Sequence, residues 1–197
     1  MSLAQTNNKQ WTRRAMRVAA AGTCIALAPF TALAQTAAPA APANAATVST
    51  LPGGAQAINE AFQDWTMTCV QPAGGKRCAI TQQQADAKTR QRLIAVELQP
   101  IGDKAEGVLV LPFGLLLDKG VTLKAGATEL GALRFKTCLP QGCVVPLTLD
   151  AKALTTLRGA KDPLTVTAFN DAGGPLAFAV SVNGFGPALN RAAALGK

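Results

Sequence analysis

The chain has no histidine and no tyrosine, and aromatic residues make up only 5% of its 197 positions. Without histidine it cannot form a Ser/His/Asp triad, a Cys/His pair or the commonest proton shuttle at neutral pH. A phosphate loop is missing as well, because residues 184–187 lack the lysine of a nucleotide cradle. The carboxylates show no spacing that places two on one wall. We therefore predict a protein that is not an enzyme and that carries no cofactor and no metal.

Residues 1–34 have the composition of a signal peptide: a basic segment, an Ala-rich apolar stretch over 18–30, and Ala32-Leu33-Ala34 before Gln35. The apolar stretch is too short for a membrane-spanning helix, which needs about 20 residues. The pair Arg13-Arg14 leaves both general secretion and twin-arginine export open. The sequence predicts cleavage before Gln35, a periplasmic or cell-envelope location, and no transmembrane span once the leader is removed.

Removal of the leader changes the net charge, because it takes four of the 19 Lys and Arg residues and none of the 11 Asp and Glu residues. The mature chain then has 15 basic and 11 acidic residues, a net charge of +4. Its basic residues are scattered except for two small clusters, 88–92 and 134–136, without the series of aromatic side chains on which bases stack. We predict that the protein does not bind nucleic acid and interpret the clusters as solvated strand faces.

Residues 35–56 are dominated by Ala, Pro, Thr and Ser, a composition that buries little surface and favours an extended, flexible linker. The folded domain is expected over 57–197. That length is sufficient for one domain with a single hydrophobic core.

Apolar and polar residues alternate in many short segments of this domain, which is typical of half-buried strands. The segments are 62–70, 94–99, 121–123, 133–136, 145–149, 164–168 and 176–182. Glycine-rich and Asn-Gly turns separate them. Helices are expected only from Asp150 to Leu157, where Asp150 can cap the start, and from Pro187 to Leu195. The pattern predicts an all-β fold, a single antiparallel sandwich or barrel-like domain, with a mixed α+β domain as the alternative.

Four cysteines remain after the leader and form two local pairs, Cys69 with Cys78 and Cys138 with Cys143. Four cysteines allow three connectivities, but turn-forming residues inside each pair favour two hairpin closures. A zinc site would need closer spacing and thiolates that an oxidising compartment removes. A redox-active pair is usually Cys-x-x-Cys at a helix N-terminus, whereas Cys138 and Cys143 lie between two predicted strands. We predict structural disulfides in both pairs.

The longest apolar run of the mature domain covers 108–117. Pro112 and Gly114 prevent one continuous central strand through it. The run is either two buried strand ends around a bend or a loop with an apolar tip. We expect burial, with Phe113 in the core, because exposure of so many leucines marks an interface or an aggregation hazard.

Several motifs of this domain occur together in one known family. They are Asp64-Trp65 before Cys69, then Cys78, then Leu111-Pro112-Phe113-Gly114-Leu115-Leu116-Leu117, Arg134-Phe135-Lys136-Thr137-Cys138-Leu139-Pro140-Gln141-Gly142-Cys143 and Asn183-Gly184-Phe185-Gly186-Pro187-Ala188-Leu189. With them, residues 57–195 resemble the invasion-associated locus B family. The resemblance implies an exported protein of Gram-negative bacteria, a compact β-rich fold stapled by disulfides, and no established enzymatic activity.

We interpret the chain as an exported, non-enzymatic binding protein of the cell envelope, with a periplasmic enzyme or thiol–disulfide redox protein as the alternative. A disulfide-closed loop costs little entropy on binding, and neighbouring cations attract an acidic partner. The expected partner is an envelope or host protein of acidic character. The candidate binding surface consists of Arg134, Lys136, Leu139, Pro140, Gln141 and Phe113.

Overall fold

The computed structural model describes residues 49–197, so the signal peptide expected over 1–34 lies outside the described residues. The strands are β1 (Ala57–Phe62), β2 (Trp65–Val70), β3 (Arg77–Ala85), β4 (Arg92–Ile101), β5 (Lys104–Leu111), β6 (Val121–Ala125), β7 (Thr128–Leu133), β8 (Thr137–Leu139), β9 (Gly142–Leu149), β10 (Leu164–Phe169) and β11 (Pro175–Val180). The helices are α1 (Ala151–Gly159) and α2 (Phe185–Leu195), and short 3₁₀ turns lie at Pro52–Gly54 and Leu117–Lys119.

The strands form two antiparallel sheets. Strands β1 to β5 are consecutive hairpins, β9 pairs with the far side of β5, and β8 folds back on β9. The result is a seven-stranded sheet of order β1-β2-β3-β4-β5-β9-β8, beside a four-stranded sheet of order β11-β10-β6-β7. The chain therefore leaves the large sheet after β5, builds half of the small sheet, and returns at β8.

The core lies between the sheets, on the inner face of the large sheet. Alternate residues of β4 face inward as their period predicts, and Ile94, Val96 and Leu98 are at most 3% exposed. Leu123 of β6 and Val166 of β10 supply the inner face of the small sheet and belong to the same apolar cluster. These two antiparallel sheets around one core confirm the predicted all-β, sandwich-like fold.

Both predicted helices are present and complete the cover over the core. Asp150 caps α1, because its Oδ1 accepts a hydrogen bond of 2.7 Å from the backbone N of Ala153. Helix α2 begins at Phe185, two residues earlier than expected, and its buried stripe packs on β2, β3 and β4. The Phe185 ring meets Trp65 edge to face with 5.3 Å between the ring centroids.

Two predicted strands differ from the structure. The segment 62–70 is interrupted at Gln63, whose φ of 52° forms the turn between β1 and β2. The alternation expected over 133–136 ends as a strand at Leu133, and the next three residues carry the chain from the small sheet to the large one. Alternation identified the apolar positions there but not the change of sheet.

Packing is already present before β1. Leu51 is 3% exposed, and its backbone N donates to Ser49 Oγ at 3.2 Å. Both residues belong to the linker expected over 35–56, of which residues 35–48 lie outside the described residues. Within 49–197, neither helix combines the length and the apolar character that crossing a membrane requires.

Candidate functional site

The Cys138–Cys143 disulfide closes the hairpin between β8 and β9. The two cysteines lie directly opposite each other in the strand register, with Cys143 buried and Cys138 exposed. The turn requires glycine at position 142, because its φ is 135° and a Cβ there would lie 2.5 Å from the carbonyl oxygen of Leu111. The bond and the turn together fix the conformation of Leu139, Pro140 and Gln141.

The second disulfide joins Cys69 to Cys78 across the β2–β3 hairpin, and both side chains are buried. Register places it at the opposite end of the large sheet from Cys138 and Cys143. Both predicted pairings are confirmed. A four-thiolate zinc site is not compatible with them, because each sulfur is already bonded to another sulfur. Neither pair lies at the start of a helix, where reactive cysteine pairs are usually found.

Phe113 is exposed, and the expectation that it lies in the core is wrong. Its side chain is 61% accessible, although Leu111 and Leu115 on either side are buried. The chain bends between them at Gly114, whose φ is 83°, and Leu115 then forms an isolated bridge with Asn170, directly after the end of β10. The bend turns both leucines into the core and leaves the ring between them in solvent.

Phe113 lies at the same end of the sheet as the disulfide-closed hairpin. Leu111, the last residue of β5, is paired with Cys143, so Phe113 follows just beyond the register position of the hairpin turn. Leu139 is 48% exposed at that turn. We call this surface, composed of Phe113, Leu139, Pro140 and Gln141, the hairpin end.

A shallow groove runs from the hairpin end across the outer face of the large sheet, with a volume of about 550 Å³. Outer strand faces are normally polar, but half of the residues that line this groove are apolar. They are Ala95 and Val96 of β4, Val108 and Val110 of β5, Leu139 of β8 and Val144 of β9, and the polar ones are Thr81, Gln82, Gln83, Arg92, Glu97 and Gln141. The run 108–117 thus serves two surfaces, because Leu109 and Leu111 face the core while Val108 and Val110 face the groove.

Arg92 is the one basic side chain in the lining of the groove. Its Nη1 donates to the carbonyl oxygen of Gln141 at 3.3 Å, which joins the start of β4 to the hairpin turn. Its Nε is buried, and no acceptor within 49–197 pairs with it. Glu97, five residues further along β4, supplies an acidic group to the lining.

Arg134 and Lys136 lie on the exposed segment that connects the two sheets, outside the lining of the groove. The backbone N of Lys136 donates to the carbonyl oxygen of Val144 at 2.8 Å, so this segment is attached to the base of the hairpin. Within 49–197 neither side chain forms an ion pair. The two cations therefore border the hairpin end without contributing to the groove.

The β3–β4 loop adds further basic groups at this end of the sheet. Asp86 organises the loop, since its Oδ1 accepts from the backbone N of Thr89 at 2.7 Å and of Lys88 at 2.9 Å. These hydrogen bonds, first those from Thr89, hold the pKa of Asp86 below its ordinary value. The carboxylate is thus engaged within its own loop, while Lys88 and Arg90 are exposed.

A family model described as "Invasion associated locus B (IalB) protein" matches residues 65–193, most of the described domain. The chain belongs to this family. An invasion protein B homolog of Brucella abortus (strain 2308) is 44% identical over 151 residues, which are 76% of this chain and 87% of the relative. Invasion protein B of Bartonella bacilliformis is 33% identical over 155 residues, covering 76% and 82% of the two chains.

A solved member of the family has the same fold. The crystal structure of invasion associated protein b from Bartonella henselae superposes with a TM-score of 0.66 at 29% identity, over 70% of this chain and 96% of that one. The matched residues 65–193 include both disulfides, the hairpin end and the groove. The resemblance to the invasion-associated locus B family is therefore confirmed.

Sequence reasoning missed the groove in this family member. The sequence places Arg92 in a cluster that we predict to be solvated, and it predicts that Val108 and Val110 are buried with the rest of the run 108–117. The available signal was the apolar character of both faces of β5, where Val108 and Val110 occupy the positions that a solvated strand would give to polar residues.

Proposed function

We propose that this protein is an exported, non-enzymatic binding protein of the cell envelope, and that the hairpin end contacts an acidic envelope or host protein. The observation that carries the proposal is the pair of exposed apolar side chains at this end, Phe113 at 61% and Leu139 at 48%. Large apolar side chains that project from a rigid frame are typical anchors of protein interfaces.

Rigidity supports this assignment. The Cys138–Cys143 bond and the bend at Gly114 hold the two anchors in place before a partner arrives. A preorganised loop loses little conformational entropy on association, so more of the contact energy remains for affinity.

Charge supports an acidic partner. Arg134 and Lys136 border the hairpin end, and Lys88 and Arg90 are exposed on the loop that leads to Arg92. Cations at the rim of an apolar contact raise the rate of association with an acidic surface more than they raise the affinity itself.

Export and the absence of catalysis rest on other observations. Two disulfides are typical of proteins that mature in an oxidising compartment. The proposal that the protein is not an enzyme rests on the lack of histidine in the chain. Host proteins are included among the partners because the relatives carry the name invasion protein.

The test is affinity capture with the mature protein as bait, from bacterial envelope extract and from host-cell membrane extract. Phe113→Ser combined with Leu139→Ser should abolish the capture of a specific partner. Ile101→Ser is the matched control, because Ile101 is 53% exposed at the opposite end of the same sheet. Equal capture by the double variant and the control would refute the hairpin end as the contact surface.

The charge component has its own pair of variants. Arg134→Glu with Lys136→Glu should slow association several-fold, and the effect should decrease with added salt. Lys152→Glu with Lys161→Glu makes the same charge change at exposed positions on and after α1 and should leave the association rate nearly unchanged.

A further inference from the structure

The groove on the outer face of the large sheet is a second surface with different chemistry from the hairpin end. Its centre is apolar, and small or β-branched side chains on three neighbouring strands leave it shallow and continuous. Strands β3, β4, β5 and β9, which carry most of it, are interior to the sheet, so their backbone N–H and C=O groups are already paired with neighbours.

This backbone pairing restricts what can occupy the groove. An extended peptide laid over the centre of the groove would bury its own N–H and C=O groups against Ala95, Val110 and Val144, whose side chains cannot bond them, which is costly. A hydrocarbon chain has no such groups and loses only its contact with water. The groove crosses β3, β4, β5, β9 and β8, four strand spacings or about 19 Å, which is long enough for an extended acyl chain.

Arg92 specifies the polar end of the occupant. Its guanidinium has five N–H donors, of which Nη1 bonds Gln141 while Nε is buried without an acceptor among residues 49–197. Nη2 forms no hydrogen bond among residues 49–197, and a carboxylate offers two oxygens to the guanidinium fork. Glu97 lies about 16 Å further along β4, so its repulsion directs an anionic head toward Arg92.

We propose that the groove binds a single fatty acyl chain, with its carboxylate on Arg92 and its hydrocarbon across Val144, Val110 and Ala95 on three neighbouring strands. The groove shares Leu139 and Gln141 with the hairpin end but does not include Phe113, so acyl binding is separated from partner capture by the single variant at Phe113 and not by the variant at Leu139. Phe113 is not part of the lining of the groove, so a Phe113→Ser variant retains acyl binding even where it loses a partner.

The first test is calorimetric titration of the delipidated mature protein with dodecanoate and with dodecanol, both below the concentration at which they aggregate. Arg92→Gln should weaken dodecanoate binding about tenfold or more and weaken dodecanol binding much less, because only the carboxylate forms a charge-assisted, bidentate pair with the guanidinium. Arg77→Gln, at an exposed position near the other end of β3, is the control. Dodecanoate binding that is the same in Arg92→Gln and Arg77→Gln would overturn the proposal.

The second test blocks the hydrocarbon. Val110→Asp introduces a charge into the apolar lining and should abolish binding of both ligands. Val70→Asp makes the same substitution at a side chain 39% exposed on β2, outside the groove, and should preserve both. A thermal melt shows whether each variant is folded. If Val110→Asp does not fold, Ala95→Phe replaces it in the test, because the larger side chain fills the groove without adding charge.

The third test distinguishes other occupants. Mass spectrometry of protein isolated from its own cells should find a bound fatty acid in the wild type and none in Arg92→Gln. Recovery of a peptide would overturn the proposal in favour of a helical protein segment. Cosedimentation with phosphatidylglycerol vesicles without binding of dodecanoate would likewise overturn it in favour of docking to a membrane surface.

Discussion

Phe113 is an aromatic residue that its neighbours hold away from the core. The bend at Gly114 sends Leu111 and Leu115 inward, and the ring between them gains little burial from folding. An exposed aromatic side chain contributes almost nothing to the free energy of unfolding, so what it provides is contact area for another molecule.

A comparison of two phenylalanines tests this assignment. Phe113→Ala should change the free energy of unfolding by less than about 0.5 kcal/mol, because no burial is lost and no cavity forms. Phe185→Ala should cost about 3–5 kcal/mol, since that ring is 2% exposed and packs on Trp65. Urea denaturation of both variants gives the two values, and a large loss in Phe113→Ala would contradict the exposed position.

At the scale of elements, the two disulfides staple hairpins at opposite ends of one sheet, and their environments differ. Cys69 and Cys78 lie in the core, whereas Cys138 lies in solvent beside the hairpin end. The first bond therefore supports packing, and the second mainly fixes the shape of a surface loop.

Replacement of each pair by serine separates these roles. Loss of either bond should cost about 2–3 kcal/mol from the entropy of the unfolded chain. Cys69→Ser with Cys78→Ser should cost more, because it also leaves two buried hydroxyls in an apolar site. Cys138→Ser with Cys143→Ser should lower the free energy of unfolding less than the first pair of substitutions does, and yet it should weaken partner capture. Equal unfolding midpoints with intact capture in both variants would contradict the assignment.

Helix α2 is attached to the edge strand β1 by an ion pair. Arg191 donates from Nε at 2.9 Å and from Nη2 at 2.8 Å to the carboxylate of Glu60. These hydrogen bonds hold the pKa of Glu60 below its ordinary value. A lowered pKa means that the contribution to stability is present above the ordinary glutamate pKa and is lost as the pH falls through the folded-state value.

The pH dependence of Arg191→Gln checks this linkage. The urea midpoint of the variant should lie below that of the wild type by a constant amount above about pH 5, and the difference should shrink below about pH 4. Arg158→Gln is the control, because Arg158 donates to the neutral side chain of Asn190, so that this contact adds no acid dependence. If the two urea midpoints still differ by the same amount at acid pH, where Glu60 is protonated, Arg191 acts through packing alone.

At the scale of the whole molecule, the sequence was sufficient for the sandwich, both helices and both disulfides. Strand alternation, the cap residue Asp150 and the turns inside each cysteine pair are local signals, and local geometry decided those features. The position of Phe113 and the groove depend on which faces remain uncovered after the sheets meet. Which faces remain uncovered is a property of the assembled fold. Alternation shows only that residues such as Val108 and Val110 share a face, and not whether that face is covered.

The export prediction also belongs to this scale. The dominant cellular form should begin at Gln35 and be recovered with the periplasmic fraction, because Ala32-Leu33-Ala34 provides the small residues of a cleavage site. N-terminal sequencing of the purified protein measures this directly. A dominant form that still begins at Met1 would refute the leader assignment and the compartment inferred from it.

The order of strands in the large sheet has a consequence for folding kinetics. Strands β1 to β4 each pair with the next strand in sequence, whereas Val110 of β5 pairs with Val144, 34 residues later. Local contacts form quickly and long loops close slowly, so the five-stranded meander is expected to assemble first. Until β9 arrives, β5 is an open edge with apolar residues on both faces, which is a template for pairing between chains. Because every chain is synthesised from its N-terminus, β5 is present before β9, and each new molecule passes through this vulnerable stage.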